Sequence, residues 1–248
     1  MFFSSAKVRQ SGTGRRTRIL VNHRLFKTVP AGFFEPGLAR EDFRKQDLGR
    51  GSASVFSHEG SEYVRKHYHR GGYPGRFIRD LYLFTGLRRT RMWREFHLLL
   101  HLHDLGLPVP LPVAARCQLA PPLCYRGDLV TRFLPGTQPL AAVLQASPLS
   151  RTTWASIGKS VALFHRYNVF HADLNAANIL LHREKGVFLL DFDKSALRRR
   201  NKPLWTKANL ERLARSLWKW KGKAASFHFS ESDWRSLEEG YRFGTGAH

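Results

Sequence analysis

The chain has 248 residues, 42% of them apolar, with 41 Lys and Arg against 19 Asp and Glu and a formal charge of +22. That apolar share, with 18 Phe, 7 Tyr and 6 Trp, sustains a sizeable core and excludes a disordered polar chain. The charge attracts polyanions, whether nucleic acid, phosphorylated substrate or anionic membrane, and by itself does not choose among them.

Residues 1–22 read as a flexible basic tail, since SSAKVRQSGTGRRTR is polar and has no period. Phe2 and Phe3 lead into no apolar region, so no secretory leader is expected. Residues 23–134 form a first lobe. Within it, GRGSASVFSHEGSEYVRKHY predicts a Gly-rich turn, a strand over 54–57, a turn over 58–61 and a strand over 62–68. A basic, aromatic insert fills 70–90. Met92, Phe96, Leu99 and Leu100 recur at helical spacing and predict a helix over 90–104, stopped by Gly106 and Pro108. Strands are predicted over 113–119 and 124–133. They hold Cys117 and Cys124, whose spacing matches no zinc site and which read as reduced thiols. Pro135-Gly136 marks the lobe boundary.

The second lobe, residues 135–248, is more helical. Trp154, Ile157, Val161 and Phe164 mark one helix face, and Asn168 suits a left-handed cap at its end. Short apolar strands over 179–181 and 187–190 flank a turn, and helices over 207–219 and 231–241 follow. No window approaches the roughly 20 apolar residues of a spanning helix, so a cytosolic or peripheral membrane protein is expected.

The strongest chemical signal is VFHADLNAANILL followed by VFLLDFD. Phosphoryl transfer needs hard oxygen ligands for a nucleotide-bound cation and a carboxylate that orients the attacking hydroxyl and takes its proton. Asp173, Asn178 and Asp191 supply such groups, provided the intervening hairpin returns Asp191 beside Asn178. In the first lobe, Gly49-Arg50-Gly51-Ser52-Ala53-Ser54 is a turn whose glycines let backbone N–H groups approach phosphate, with Ser54 closing it. Lys66 on the following strand suits a phosphate contact, with Glu95 of the predicted helix as its partner. By order along the chain alone, residues 129–133, with Val130, are expected to hold adenine through backbone groups.

His171-x-Asp173-x-x-x-x-Asn178 resembles the H-R-D-x-x-x-x-N catalytic loop of protein kinases, and Asp191-Phe192-Asp193 resembles their D-F-G. The resemblance implies an α+β, two-lobed protein-kinase-like fold, with a small β-rich N-lobe and a mainly helical C-lobe. It makes Asp173 the base, gives Asn178 and Asp191 to Mg2+, and has His171 brace the loop. Asn175 stands in the loop where protein kinases often carry Lys. Ala172 replaces Arg, Asp193 replaces Gly and no A-P-E follows, which points away from regulated protein kinases and toward small-molecule kinases. Together HYHRGG, LGLPVPLPVAA, HADLNAANILL, LLDFDKS and NLERLARSLWKW, spread over residues 48–241, are similar to the 3-deoxy-D-manno-octulosonic acid (Kdo) kinases within the lipopolysaccharide kinase family.

That resemblance implies transfer of the ATP γ-phosphate, with Mg2+, to a Kdo hydroxyl, O4 by expectation, on a Kdo-lipid A type glycolipid. It implies work at the cytoplasmic face of an anionic inner membrane, with no nucleic-acid partner. Arg70, Arg76, Arg79, Arg88, Arg89 and Arg91, with Tyr73, Phe77, Tyr82 and Phe84, suit an interfacial substrate. The alternatives are a heptose or other small-molecule kinase of the same fold and, in another class, a basic nucleic-acid-binding protein or a pseudokinase scaffold. No RNA-binding or zinc-finger signature supports the nucleic-acid reading.

Overall fold

A computed structural model describes residues 8–11, 16–30, 32–34, 53–69, 80–200 and 202–246. The chain divides into two compact units, Met1–His103 with Pro110–Leu134, and Asp104–Val109 with Pro135–His248.

The first unit contains strands β1 (Val8–Ser11), β2 (Thr17–Asn22), β3 (Ala53–His58), β4 (Ser61–His67) and β5 (Tyr82–Leu83). Helix α1 (Arg91–Asp104) and strands β6 (Pro112–Ala120) and β7 (Cys124–Arg132) follow. The strands make one antiparallel sheet in the order β1-β2-β6-β7-β4-β3, with β5 pairing to β7 beyond the end of β4. Ile19, Val21, Phe33, Tyr63, Val113 and Val130 bury together on it. The hairpin of β3 and β4 turns through Glu59 and Gly60, both with positive φ. Such turns twist with the strands they join.

The tail expected over residues 1–22 does not hold for Thr17–Asn22, which pairs with β6 along Ala114–Gln118. Ile19, Leu20 and Val21 are all buried there. Consecutive apolar residues among arginines lack the period-two alternation that announces a strand, and the partner is far along the chain. Val130 also departs from expectation. It lies mid-strand between β6 and β4, opposite Ala114 and Arg65, and its side chain is fully buried. Its backbone belongs to the ladder, so Val130 is a core residue and not an adenine contact.

The second unit opens with β8 (Thr137–Pro139), α2 (Leu140–Ala146) and α3 (Arg151–Arg166). Strands β9 (Val169–Phe170), β10 (Ile179–His182), β11 (Gly186–Leu189) and β12 (Ala196–Leu197) follow, then α4 (Lys202–Lys221) and α5 (Glu231–Thr245). The hairpin of β10 and β11 carries β8 on its other edge, and β12 pairs with β9. Asn168 ends the turn after α3 at φ 61, in the left-handed region. Ser150 caps α3, and a reciprocal capping box of Ser230 and Asp233 starts α5. Cys117 and Cys124 are unbridged, and burial pushes the Cys117 thiol up to about 12.

Candidate active site

The loop between β9 and β10 carries His171, Asp173, Asn175 and Asn178, and hydrogen bonds fix its shape. The Asp173 N–H donates to His171 Nδ1 at 3.2 Å, and His171 Nε2 lies 2.8 Å from the Leu190 carbonyl. A ring whose Nδ1 accepts and whose Nε2 faces a carbonyl is the Nε2–H tautomer. His171 is buried, and the Phe192 ring packs 4.8 Å from it. The Asn175 side-chain oxygen accepts from the Ala177 and Asn178 N–H groups, and its nitrogen donates to the Asp173 carbonyl. Asn175 is therefore an organiser of the loop, its amide turned inward. Asn178 Nδ2 donates to that same carbonyl at 2.9 Å, which turns its Oδ1 away from the backbone oxygen.

The hairpin returns Asp191 to this loop. The Leu190 N–H donates to the Asn178 carbonyl at 2.9 Å while the Leu190 carbonyl faces His171. One residue thus ties the Asp-Phe-Asp segment to both ends of the catalytic loop. Asp191 sits at φ 58, a left-handed conformation that aspartate tolerates better than most residues. The Asp173 side chain is 56% exposed.

Helix α4 supports the loop from one side. The Asn209 Oδ1 accepts from the His171 N–H, and its Nδ2 donates to the His171 carbonyl at 2.9 Å. Ser216 Oγ accepts from the Ala176 N–H, and Arg212 reaches Asp173, with Nη1 to Oδ1 at 3.3 Å. Asn209 also meets His165 Nε2, whose Nδ1 faces the Tyr241 hydroxyl. Burial holds the His165 pKa down to about 4. From the β12 side, Ser195 Oγ accepts the Ala172 N–H. Asn209, Arg212 and Ser216 were not singled out from the sequence. A polar residue in a helix looks the same locally whether it faces solvent or a loop.

In the first unit, Lys66 Nζ contacts both Glu95 oxygens, at 3.0 and 2.9 Å, and Tyr68 donates to Glu95 Oε2 at 2.5 Å. Glu95 is buried, a placement that carboxylates tolerate when paired and hydrogen-bonded. On the opposite face of β4, His67 Nδ1 lies 2.8 Å from Asp128, which also accepts from Arg116 Nε at 2.9 Å. The Asp128 hydrogen bond raises the His67 pKa. Burial pushes Asp128 up, and the His67 and Arg116 contacts outweigh it, leaving Asp128 below the usual carboxylate range. Ser54 is half-buried on β3, opposite Arg65. Gly49 and Gly51 lie outside the described residues, as do Arg70, Tyr73, Arg76, Phe77 and Arg79 of the insert.

Among the described residues no cluster of three or more His, Cys, Asp or Glu could hold a metal ion. A side-chain amide oxygen and a carboxylate still fit Mg2+, which binds through one or two carboxylates and completes its shell with water and phosphate. Asn178 Oδ1 and Asp191 are the groups that would supply such a donor set.

A sheet unit with a Lys66–Glu95 ion pair and a helical unit with a braced His-x-Asp loop and Asp-Phe-Asp define a phosphotransferase of the protein-kinase-like fold. The chain belongs to the lipopolysaccharide kinase (Kdo/WaaP) family, whose model matches residues 40–241. It is 38% identical over 200 residues to a 3-deoxy-D-manno-octulosonic acid kinase of Haemophilus influenzae, covering 78% of this chain and 82% of that protein. A protein of the same name from Actinobacillus succinogenes is 36% identical over 218 residues, covering 85% and 90%. The solved structure described as WaaP in complex with acyl carrier protein superposes with a TM-score of 0.53 at 19% identity, over 77% of this chain and 74% of that one. As a kinase, the protein uses ATP.

Proposed function

We propose that this protein transfers the γ-phosphate of ATP to a hydroxyl, O4 by preference, of the Kdo residue on a Kdo-lipid A precursor. Asp173 orients that hydroxyl and accepts its proton as the oxygen bonds to the γ-phosphorus and the bond to ADP breaks. Lys66, held by Glu95, contacts the nucleotide phosphates, and Gly49, Gly51 and Ser54 are assigned by sequence alone to contribute backbone N–H groups. Asn178 and Asp191 would hold Mg2+, which would supply positive charge against the nucleotide phosphates. His171 and Asn175 keep the loop in shape.

The observation that carries this reading is the single hydrogen-bonded unit in which Leu190 ties Asp191, Asn178 and His171 together while Asp173 stays exposed. The test is mass spectrometry of a Kdo-lipid A precursor incubated with ATP and the protein. One phosphate is gained with the wild type. Asp173→Asn folds with an unchanged circular dichroism spectrum and loses transfer by about 1000-fold or more, in line with loss of a general base. Retained turnover in that variant removes Asp173 from its role.

Peripheral attachment to an anionic inner membrane belongs to the same proposal. Among the described residues no helix is long and apolar enough to cross a membrane. Trp218 and Trp220, exposed by 40% and 36%, stand beside Lys219, Lys221 and Lys223 at the end of α4. Tryptophan and lysine together suit a headgroup layer, apolar on one side and anionic on the other.

A further inference from the structure

We infer that Arg212 is a specificity-determining residue that reads the carboxylate of an acidic acceptor and by doing so releases the catalytic Asp173. The inference rests on the function proposed above and names how the same site recognises its sugar acid.

Arg212 Nη1 lies 3.3 Å from Asp173 Oδ1, and the two side chains are 48% and 56% exposed. An ion pair so open to water contributes little to folding. The scaffold around it is nevertheless specific. Asn209 and Ser216, on the same helix, both hydrogen-bond the catalytic loop, at His171 and Ala176. Positions 209, 212 and 216 share one face of α4 at helical spacing. Arg212 sits between two fixed points, so the helix delivers its guanidinium to the loop. The neighbouring Glu211 faces Lys207 and Arg215, which leaves Asp173 as the carboxylate that Arg212 meets among the described residues.

This contact poses a chemical problem. A guanidinium resting on the base competes with the acceptor hydroxyl for the same carboxylate oxygen. A neutral acceptor has nothing to offer Arg212 in exchange. An acceptor with its own carboxylate does, because guanidinium carries five donors in a planar fork that matches a carboxylate. Once Arg212 turns to the incoming acid, Asp173 Oδ1 is open to the hydroxyl. A sugar acid is thereby selected over a neutral sugar of similar shape, and a missing charge-assisted hydrogen bond of this kind changes affinity by about 10- to 100-fold.

The test compares the full-length wild type, Arg212→Gln and Arg212→Lys on a Kdo-lipid A acceptor, on the same acceptor with its Kdo carboxylate methyl-esterified, and on ATP alone. For the acid acceptor, Arg212→Gln raises KM about 10- to 100-fold, and Arg212→Lys recovers part of the loss. The ester is a poor acceptor for the wild type, and Arg212→Gln makes it no poorer. ATP hydrolysis without acceptor is higher in Arg212→Gln than in the wild type, because Asp173 Oδ1 is then open to water. Equal losses on acid and ester overturn the inference. A parallel fall in acceptor-free hydrolysis also overturns it, because it assigns Arg212 to the transferred phosphoryl group. A wild type inactive on both acceptors instead refutes the function proposed above, and the inference with it.

Discussion

His165 is buried between Tyr241 and Asn209, neither of them a carboxylate, so burial penalises a proton added to its ring. Its pKa falls from 6.5 to about 4 for that reason. The unfolded chain protonates this histidine first as pH drops, so in that interval the unfolded state binds more protons and stability rises with pH. The contribution is complete above pH 6.5 and is lost as pH falls toward 4. At about 1.4 kcal/mol per pH unit it amounts to roughly 3 kcal/mol. Urea midpoints measured between pH 7 and pH 4 are expected to fall less steeply for His165→Gln than for the wild type. Parallel profiles would show that His165 is not held neutral by burial. Asn209 joins this histidine to His171. Its three contacts were invisible in the sequence, where NLERLARSLWKW carries part of the family resemblance but assigns no role to any one polar residue, whereas His171 was legible because its spacing to Asp173 and Asn178 is itself the chemistry.

Helices α3 and α5 meet through glycines. A Cβ at Gly158 would strike the Leu237 carbonyl, and one at Gly240 would strike the Ala155 carbonyl. These are backbone atoms of long helices, which cannot move aside as a side-chain tip can. Gly158→Ala and Gly240→Ala are each expected to destabilise the protein by about 3 kcal/mol despite alanine's better helix propensity. Gly222→Ala, whose Cβ would sit at ordinary contact distance, is expected to change stability by less than about 0.5 kcal/mol. Thermal unfolding of the three variants decides it, and an unchanged midpoint for Gly240→Ala refutes the close approach. Elements with a clear period were legible at this scale: α1, α3, α5, β4 and the β10–β11 hairpin all fall where patterning put them. Strand β2 was not, since its three adjacent buried residues alternate with nothing. Helix α2 was not, since seven residues carry too few turns for a pattern. Val130 was misread because order along the chain locates a segment but does not say which neighbours claim its backbone.

Net charge acts on the whole molecule, and its sign was plain from composition while its target was not. Residues 212–230 contain Arg212, Arg215, Lys219, Lys221 and Lys223 and no Asp or Glu. They also contain Trp218, packed on Phe229, and Trp220, stacked on Phe227. Charge alone would bind any polyanion and would weaken steadily with salt, because screening shortens to about 10 Å at 0.1 M. Partly exposed tryptophans add a component that salt does not screen, since apolar burial strengthens slightly with many salts. The two contributions separate in a vesicle sedimentation experiment. The wild type is expected to bind vesicles of anionic lipid, to ignore zwitterionic ones at about 50 mM salt, and to keep a measurable fraction bound at about 300 mM. Trp218→Ala with Trp220→Ala is expected to bind nearly as well at low salt and to lose the fraction retained at high salt. Its unfolding midpoint controls for the loss of ring packing. Binding that does not depend on lipid charge, or a double variant that matches the wild type at both salt concentrations, refutes a membrane role for the end of α4 and leaves the charge to act on the acceptor's own carboxylate and phosphates.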